Sequence, residues 1–303
     1  MQQLSAENNS LAIRTVWAAL LALGITTVLQ ILIVIASGSV ALLADTVHNF
    51  GDALNSVPLL FAFYLARRPA NRRYTYGYNR AEDIAGIFIV ISIGFSAAFI
   101  LWESIQKLIN PQPLQNLPWV ALAAVIGFVG NEVVAMMQIR VGRQIGSAAM
   151  IADGQHARTD GFTSLAVLAA VVGTALGFPI LDPIVGILIG IMIVFITRDA
   201  ALSIWQRLMD AVDPQMVEAA EKVIREHEEV KGLKQLQMRW LGHQLYVELL
   251  LALDDKLTLT ESNAVIDHIS HHLYHTLPNL GQATISIVPA VQGYGQEAAH
   301  HRA

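Results

Sequence analysis

Two nine-residue stretches decide how this chain is interpreted. They are Ala44-Asp45-Thr46-Val47-His48-Asn49-Phe50-Gly51-Asp52 and Ala152-Asp153-Gly154-Gln155-His156-Ala157-Arg158-Thr159-Asp160. Both follow the pattern Ala-Asp-x-x-His-x-x-x-Asp, and their matched positions are 108 residues apart, as from His48 to His156. No other histidine occurs in the first 226 residues. Both histidines of this part of the chain therefore belong to one repeated pattern.

The two stretches lie in a chain that is unusually poor in charge. Of its 303 residues, 54% are hydrophobic and only 14% are charged, whereas soluble domains have about 25% charged residues. Long segments between charges match the roughly 20 apolar residues that a helix needs to cross a bilayer. They predict six membrane spans, which are Val16–Ala36, Val40–Leu65, Ala81–Trp102, Trp119–Ile139, Ala149–Leu176 and Leu181–Leu202.

Arginines mark one side of the predicted membrane domain. Five of them lie between spans two and three, and Arg140 and Arg143 lie between spans four and five. The alternate links offer only Lys107. Because an excess of Lys and Arg marks cytoplasmic loops, both termini are expected to be cytoplasmic.

After Asp213 the composition becomes that of a small soluble domain. Apolar residues recur at helical spacing after Pro214, and strand-like runs cover Leu233–Trp240 and Gln244–Leu253. A second helix begins near Thr260, and a last strand covers Ala283–Val288. We predict a membrane all-α fold in residues 1–212, then an α+β domain of order α-β-β-α-β, ferredoxin-like, in residues 213–290, and a disordered tail in residues 291–303. Residues 213–303 contain 7 Lys+Arg and 12 Asp+Glu, which argues against nucleic acid as a partner.

The repeated motif has the residue types of a metal site. Residues three and four apart share a helix face, so two facing helices would offer His48, Asp52, His156 and Asp160 to one ion. Two imidazoles and two carboxylates suit tetrahedral zinc, whereas magnesium or manganese would not call for histidine. The alternative is a buried hydrogen-bonding network. An Asp at a helix centre in a bilayer costs about 2.5–3.5 kcal/mol, which favours a functional role.

Three neighbouring polar residues are candidates for support rather than for direct ligation. Asp45 and Asp153 lie one turn before the histidines, where a helix-end role or a hydrogen bond to a ligand is expected. Asn55 lies about one turn past Asp52 and would donate to a ligand or join helices. Arg158 would repel a bound dication if it faced inward, so it is expected to pair with an acid such as Glu132 or to reach a polar surface.

With Tyr76-Gly77-Tyr78-Asn79-Arg80-Ala81-Glu82 before span three, the chain resembles the cation diffusion facilitator family. The resemblance implies a homodimer that exchanges protons for zinc or a related metal, with His48, Asp52, His156 and Asp160 as the transport site. It implies a dimerisation and regulatory role for residues 213–290. It also implies a charge interlock between Arg80 and Asp210, unless these are two unrelated surface charges.

The chain departs from that family in its cytoplasmic part. The loop 67–73 has no metal ligand, and Leu250, Ser286 and Val288 stand where the resemblance implies ligands on the strands of the tail. A substitute site is available in a histidine set with helical spacing, unless the set is only a solvated polar face. The set comprises His268, His271, His272 and His275.

These observations predict a proton-coupled antiporter that moves divalent transition metal, Zn²⁺ first, out of the cytoplasm. Protons compete for the same ligands, since His titrates near pH 6.5 and must deprotonate to bind metal. Alternatives are a metal-sensing or assembly protein of the same fold, or a carrier of Fe²⁺, Co²⁺ or Cd²⁺. We expect no enzyme activity, because no His-Glu-x-x-His motif occurs, and no prosthetic group. The small size and lack of targeting elements favour a bacterial inner membrane, with lipid, metal ions and a second copy as partners.

Overall fold

The computed structural model describes residues 2–37, 54–110, 116–178 and 180–290. The chain divides into two compact units. One is Ala6–Trp205, and the other is formed by Met1–Ser5 with Gln206–Ala303. The predicted disordered tail, 291–303, lies outside the described residues.

The first unit is made of helices. A 3₁₀ turn, Leu54–Ser56, precedes the second of them. The helices are α1 (Gln2–Ser37), α2 (Val57–Ala66), α3 (Arg80–Ile109), α4 (Leu117–Ile145), α5 (Ala148–Ala175) and α6 (Leu181–Leu208).

Among the described residues, four helices are long and apolar enough to cross a membrane. They are Glu7–Ser37 within α1, and α3, α4 and α6, which correspond to predicted spans one, three, four and six. With 28 residues, α5 has the length, but Asp153, Arg158 and Asp160 lower its mean hydropathy. The described part of span two is the 3₁₀ turn and α2. The count of six spans therefore stays a prediction.

Apolar side chains lie both inside and outside this helical unit. Phe63 and Ile93 are fully buried, together with Leu59, Ile89 and Met150. On the outside, Ile35 and Phe95 are each 74% exposed. A helix that is apolar on all sides is typical of a membrane span, so these outer side chains are suited to contact lipid.

Close packing of α4 on α5 depends on glycine. A Cβ added to Gly154 would lie 2.8 Å from the Ile139 side chain and 3.0 Å from the Ile139 backbone nitrogen. Just before α5, Ser147 accepts a hydrogen bond from the Met150 N–H and caps the helix. These contacts fix the rotation of α5 against α4, and with it the directions in which Asp153 and His156 project.

Gly154→Ala should lower the thermal unfolding midpoint of the detergent-purified protein, whereas Gly161→Ala should not. Overpacking costs about 1–3 kcal/mol, and the nearest atom to a Cβ at Gly161 is Asn131 Cβ at an ordinary 3.5 Å. Replacing glycine by alanine raises the helix propensity of α5 equally at both positions, so the difference between the variants isolates the packing effect. Equal midpoints would show that α4 and α5 do not pack as closely as described.

The second unit has the predicted α-β-β-α-β order. Its elements are α7 (Pro214–Arg225), β1 (Val230–Leu241), β2 (Gln244–Leu253), α8 (Leu259–Thr276) and β3 (Leu280–Pro289). Asp213 caps α7 through the Gln215 N–H, and Thr258 with Glu261 forms a capping box on α8.

A three-stranded sheet organises this unit. β1 pairs antiparallel with β2 across a hairpin at Gly242, and β2 pairs parallel with β3. Leu245 and Leu251 from β2 are fully buried with Ile224 of α7 and Ile269 and Leu273 of α8. The two helices and the sheet thus share one small core, as predicted.

Candidate functional site

The polar stripe of α5 is buried. Asp153, His156 and Asp160 are exposed by only 2%, 2% and 9%, and their spacing places them on one face of the helix. The first motif cannot be compared in the same way, because Asp45, His48 and Asp52 lie outside the described residues. The structure therefore shows the part of the site that lies on α5 and on the segment after Asp52.

His156 lies between an amide and a carboxylate. The Asn55 Nδ2 atom is 2.8 Å from His156 Nε2, where it donates when that ring nitrogen carries no proton. The Asp160 Oδ2 atom is 3.9 Å from the same Nε2. Two ligand atoms on one tetrahedral zinc would be about 3.3 Å apart, given Zn–N and Zn–O distances of about 2.0–2.2 Å. A small closing movement of this one-turn pair would bring the two atoms to that separation.

Asp153 connects α5 to two other segments. Its Oδ2 atom accepts a hydrogen bond from the Ser56 hydroxyl at 2.7 Å and another from the Gln138 amide of α4. Asn55 and Ser56 therefore both connect the described part of span two to α5.

The predicted pair of Arg158 and Glu132 is confirmed. Arg158 Nη2 and Nε donate to the two carboxylate oxygens of Glu132 at 2.7 and 3.2 Å. The side chain of Arg158 is 33% exposed, whereas that of His156 is 3% exposed. The guanidinium thus projects away from the buried stripe, and its charge is neutralised by an acid on α4.

Sequence reasoning missed Gln138, Ser56 and Thr159. Gln138 and Thr159 are fully buried, and the Thr159 hydroxyl donates to the His156 carbonyl oxygen at 2.7 Å. One signal for Gln138 was available: it lies seven residues after Asn131, on the same face of a largely apolar span. No pattern pointed to Ser56.

The two residues of the predicted charge interlock lie in different units. Arg80 begins α3 and forms an ion pair with Asp83 at 3.6 Å. Asp210 follows α6 with a positive φ of 57°. The interlock between them stays a prediction.

The four histidines on α8 divide into two pairs along the helix. The ring centroids of His268 and His272 are 4.5 Å apart, as are those of His271 and His275. Leu250 lies opposite Ser286 on the neighbouring strand, and Ala252 opposite Val288. The strand positions singled out by the resemblance are therefore adjacent, but they carry no imidazole or carboxylate.

Apolar helices of membrane length with a buried His/Asp stripe, followed by a small α+β domain, define a multi-pass membrane protein with a polar core. Comparison with family models gives the family. The model described as the cation efflux transmembrane domain matches residues 16–209, and the model of the cation efflux protein cytoplasmic domain matches residues 212–290. The chain belongs to the cation efflux, or cation diffusion facilitator, family.

Relatives agree with this assignment. The chain is 51% identical to the protein named "Probable cation efflux system protein" of Mycobacterium tuberculosis, over 95% of this chain and 86% of the relative. It is 27% identical to the magnetosome protein MamB of Magnetospira sp., over 90% and 93% of the two chains. It is 28% identical to the cation-efflux pump FieF of Shewanella oneidensis, over 76% and 78%. The family consists of transporters, which confirms the prediction that the chain is not an enzyme.

Proposed function

We propose that this protein is a proton-coupled antiporter that exports divalent transition metal, zinc first, through His48, Asp52, His156 and Asp160. It has six spans, acts as a homodimer in a bacterial inner membrane, and keeps both termini and its α+β domain in the cytoplasm. Family membership and the names of the relatives support cation efflux. The arginine-rich loops support the orientation.

The observation that carries the proposal is the 2.8 Å contact between Asn55 and His156. Asn55 comes three residues after Asp52 in the sequence, so the chain can separate the two residues by about 11 Å at most. A residue that close to Asp52 therefore touches the histidine of the second motif. This supports a single site to which both motifs contribute, since Asp52 and His48 would approach the same face of α5.

The ligand set suits an exchange of one dication for two protons. Two carboxylates balance the charge of Zn²⁺, and two protons bound in its place would leave the same net charge. Constant net charge avoids the large penalty of an uncompensated ion in a low-dielectric interior. Glu132 supports this balance because it neutralises Arg158, the one cation within the α5 motif.

Asn55 adds a gating element to the proposed cycle. Its amide bonds to Nε2 of His156, which is the nitrogen nearest to Asp160 and the atom that a metal would use. The amide must release this nitrogen, or turn its oxygen towards the ion, when metal binds. Binding and a local movement of span two are thereby coupled.

Metal uptake by proteoliposomes under an imposed pH gradient tests the function. We expect zinc to enter as protons leave, with dissipation of the gradient in proportion to flux, and weaker flux of cadmium, cobalt, iron(II) and manganese. Vesicles without protein give the background. Stoichiometric zinc binding without flux of any metal would contradict the antiporter and favour a sensing or assembly role.

A further inference from the structure

Three histidine rings converge at the edge of the second unit. His268 and His272 are one turn apart on α8, and His227 follows the end of α7. The ring centroids are 5.0 Å apart for His227 and His268, 5.4 Å for His227 and His272, and 4.5 Å for His268 and His272. Two separate elements thus bring three imidazoles into contact.

His227 is held firmly, and its ring is buried. Its backbone N–H donates to the Ile224 carbonyl, and its own carbonyl accepts from the Val230 N–H. The residue is only 8% exposed, and its Nε2 atom has no hydrogen-bond partner within the described ranges. Buried polar atoms normally have a partner, so this nitrogen is available to a ligand.

We propose that His227, His268 and His272 form a second metal site, for zinc or a similar divalent transition metal. A tetrahedral ion with Zn–N distances of about 2.0–2.1 Å holds imidazole centres roughly 5 Å apart. The three centroid distances are close to this value. Water would complete the site, because His268 is exposed and His272 is half-buried.

The ring nitrogens themselves must turn before they can bind. As the side chains stand, the part of the chain that the structure describes contains no group of three His, Asp or Glu ready to hold a metal. The required movement is rotation about the Cβ–Cγ bond of each ring, and this torsion is broad and soft. The backbone already has the positions that the site needs.

The electrostatic surroundings of His227 favour a neutral imidazole, the form that binds metal. Burial, followed by the neighbouring His268 and His272, lowers the pKa of His227. Glu226 and Glu229 act on the same ring in the opposite direction, and their negative charge would attract a cation to this edge.

The other pair on α8 supplies a matched control. His271 and His275 have the same one-turn spacing and the same 4.5 Å centroid distance as His268 and His272. Their partner rings differ, because His227 contacts only His268 and His272 among the ring pairs of the described residues. Two substitutions in either pair therefore remove equal numbers of imidazoles from one helix.

Zinc titration of the full-length protein in detergent tests the site. The variants are made in an Asp160→Asn background, which weakens the proposed transport site. In this background, His227→Gln and the double variant His268→Gln/His272→Gln should each lose one zinc per chain or bind it at least about 100-fold more weakly. Loss of a residue that only hydrogen-bonds to a metal ligand already lowers metal affinity about 10- to 100-fold. His271→Gln/His275→Gln should bind like its parent.

Two results would overturn the proposal. One is that the Asp160→Asn parent binds no zinc that is lost in His227→Gln or in His268→Gln/His272→Gln. The other is an equal loss from both α8 pairs with no effect of His227→Gln, which would indicate adventitious surface binding. Circular dichroism checks that each variant is folded. The proposal does not rest on the transport function, because the titration reports zinc binding by the second unit in a background that lacks the Asp160 carboxylate.

Discussion

Asp160→Asn is expected to reduce zinc flux at least about 100-fold while the protein remains folded. The substitution keeps the shape of the side chain but removes the negative charge that balances a bound dication. Loss of a residue that only hydrogen-bonds to a metal ligand lowers metal affinity or activity about 10- to 100-fold, and loss of the ligand itself should lower them at least as much. Zinc uptake by proteoliposomes, normalised to the amount of reconstituted protein, measures this effect. The thermal midpoint should be unchanged or higher, because a buried carboxylate in a membrane is itself unfavourable.

Asp199→Asn is the matched control for this variant. Asp199 lies on α6 with its side chain 67% exposed and paired only with its neighbour Arg198 in the described contacts. Its neutralisation should leave flux at the parental level. Near-parental flux for Asp160→Asn, or a loss of flux equal to that of Asp199→Asn, would contradict the assignment of Asp160 to the transport site.

Arg158→Leu is expected to lower the unfolding free energy by about 2 kcal/mol. Removal of one partner from a fully buried ion pair costs about 3–5 kcal/mol, and this pair is partly exposed, at 33% and 26%. The remaining Glu132 would face lipid or a helix interface without its cation. Thermal or denaturant unfolding of the detergent-purified protein measures the change.

The double variant Arg158→Leu/Glu132→Leu should recover most of this stability, because no uncompensated charge remains. Arg198→Leu gives the comparison at an exposed pair, where loss of about 0–1 kcal/mol is expected. A double variant as unstable as the sum of its two single variants would show that the two side chains do not interact. Parental stability of Arg158→Leu would also contradict the pairing.

The sequence predicted the helices well because uncharged length is a strong physical signal. Predicted span four, Trp119–Ile139, lies within α4, Leu117–Ile145. The helix continues past the apolar segment because charged side chains such as Arg140 and Arg143 do not interrupt its backbone hydrogen bonds. The hydropathy pattern therefore indicates the membrane-embedded part of a helix and not its end.

The soluble domain was predicted in order and type, but β1 begins earlier than expected. Bulges between Val230 and Gly232, and between Leu233 and Gln235, interrupt the register with β2. A bulge shifts the alternation of inward and outward side chains, so a period-two pattern begins only after Leu233. For this reason the side-chain pattern did not reveal that β1 begins at Val230.

The candidate site was predictable only where its residues share one helix. The stripe of Asp153, His156 and Asp160 follows from helical spacing, and the structure places all three on a buried face. Contacts between distant segments do not follow from spacing. The bonds from Ser56 and Gln138 to Asp153, and the approach of His227 to α8, required the fold.

Zinc stoichiometry at the membrane site tests the central claim most directly, namely that the two motifs share one ion. The protein would carry His227→Gln, His268→Gln and His272→Gln, so that only zinc bound elsewhere is counted. We predict that His48→Ala and His156→Ala each remove the same single zinc per chain, and that their combination removes no more. Loss of one zinc by each single variant and of two by the combination would show separate sites and contradict the account.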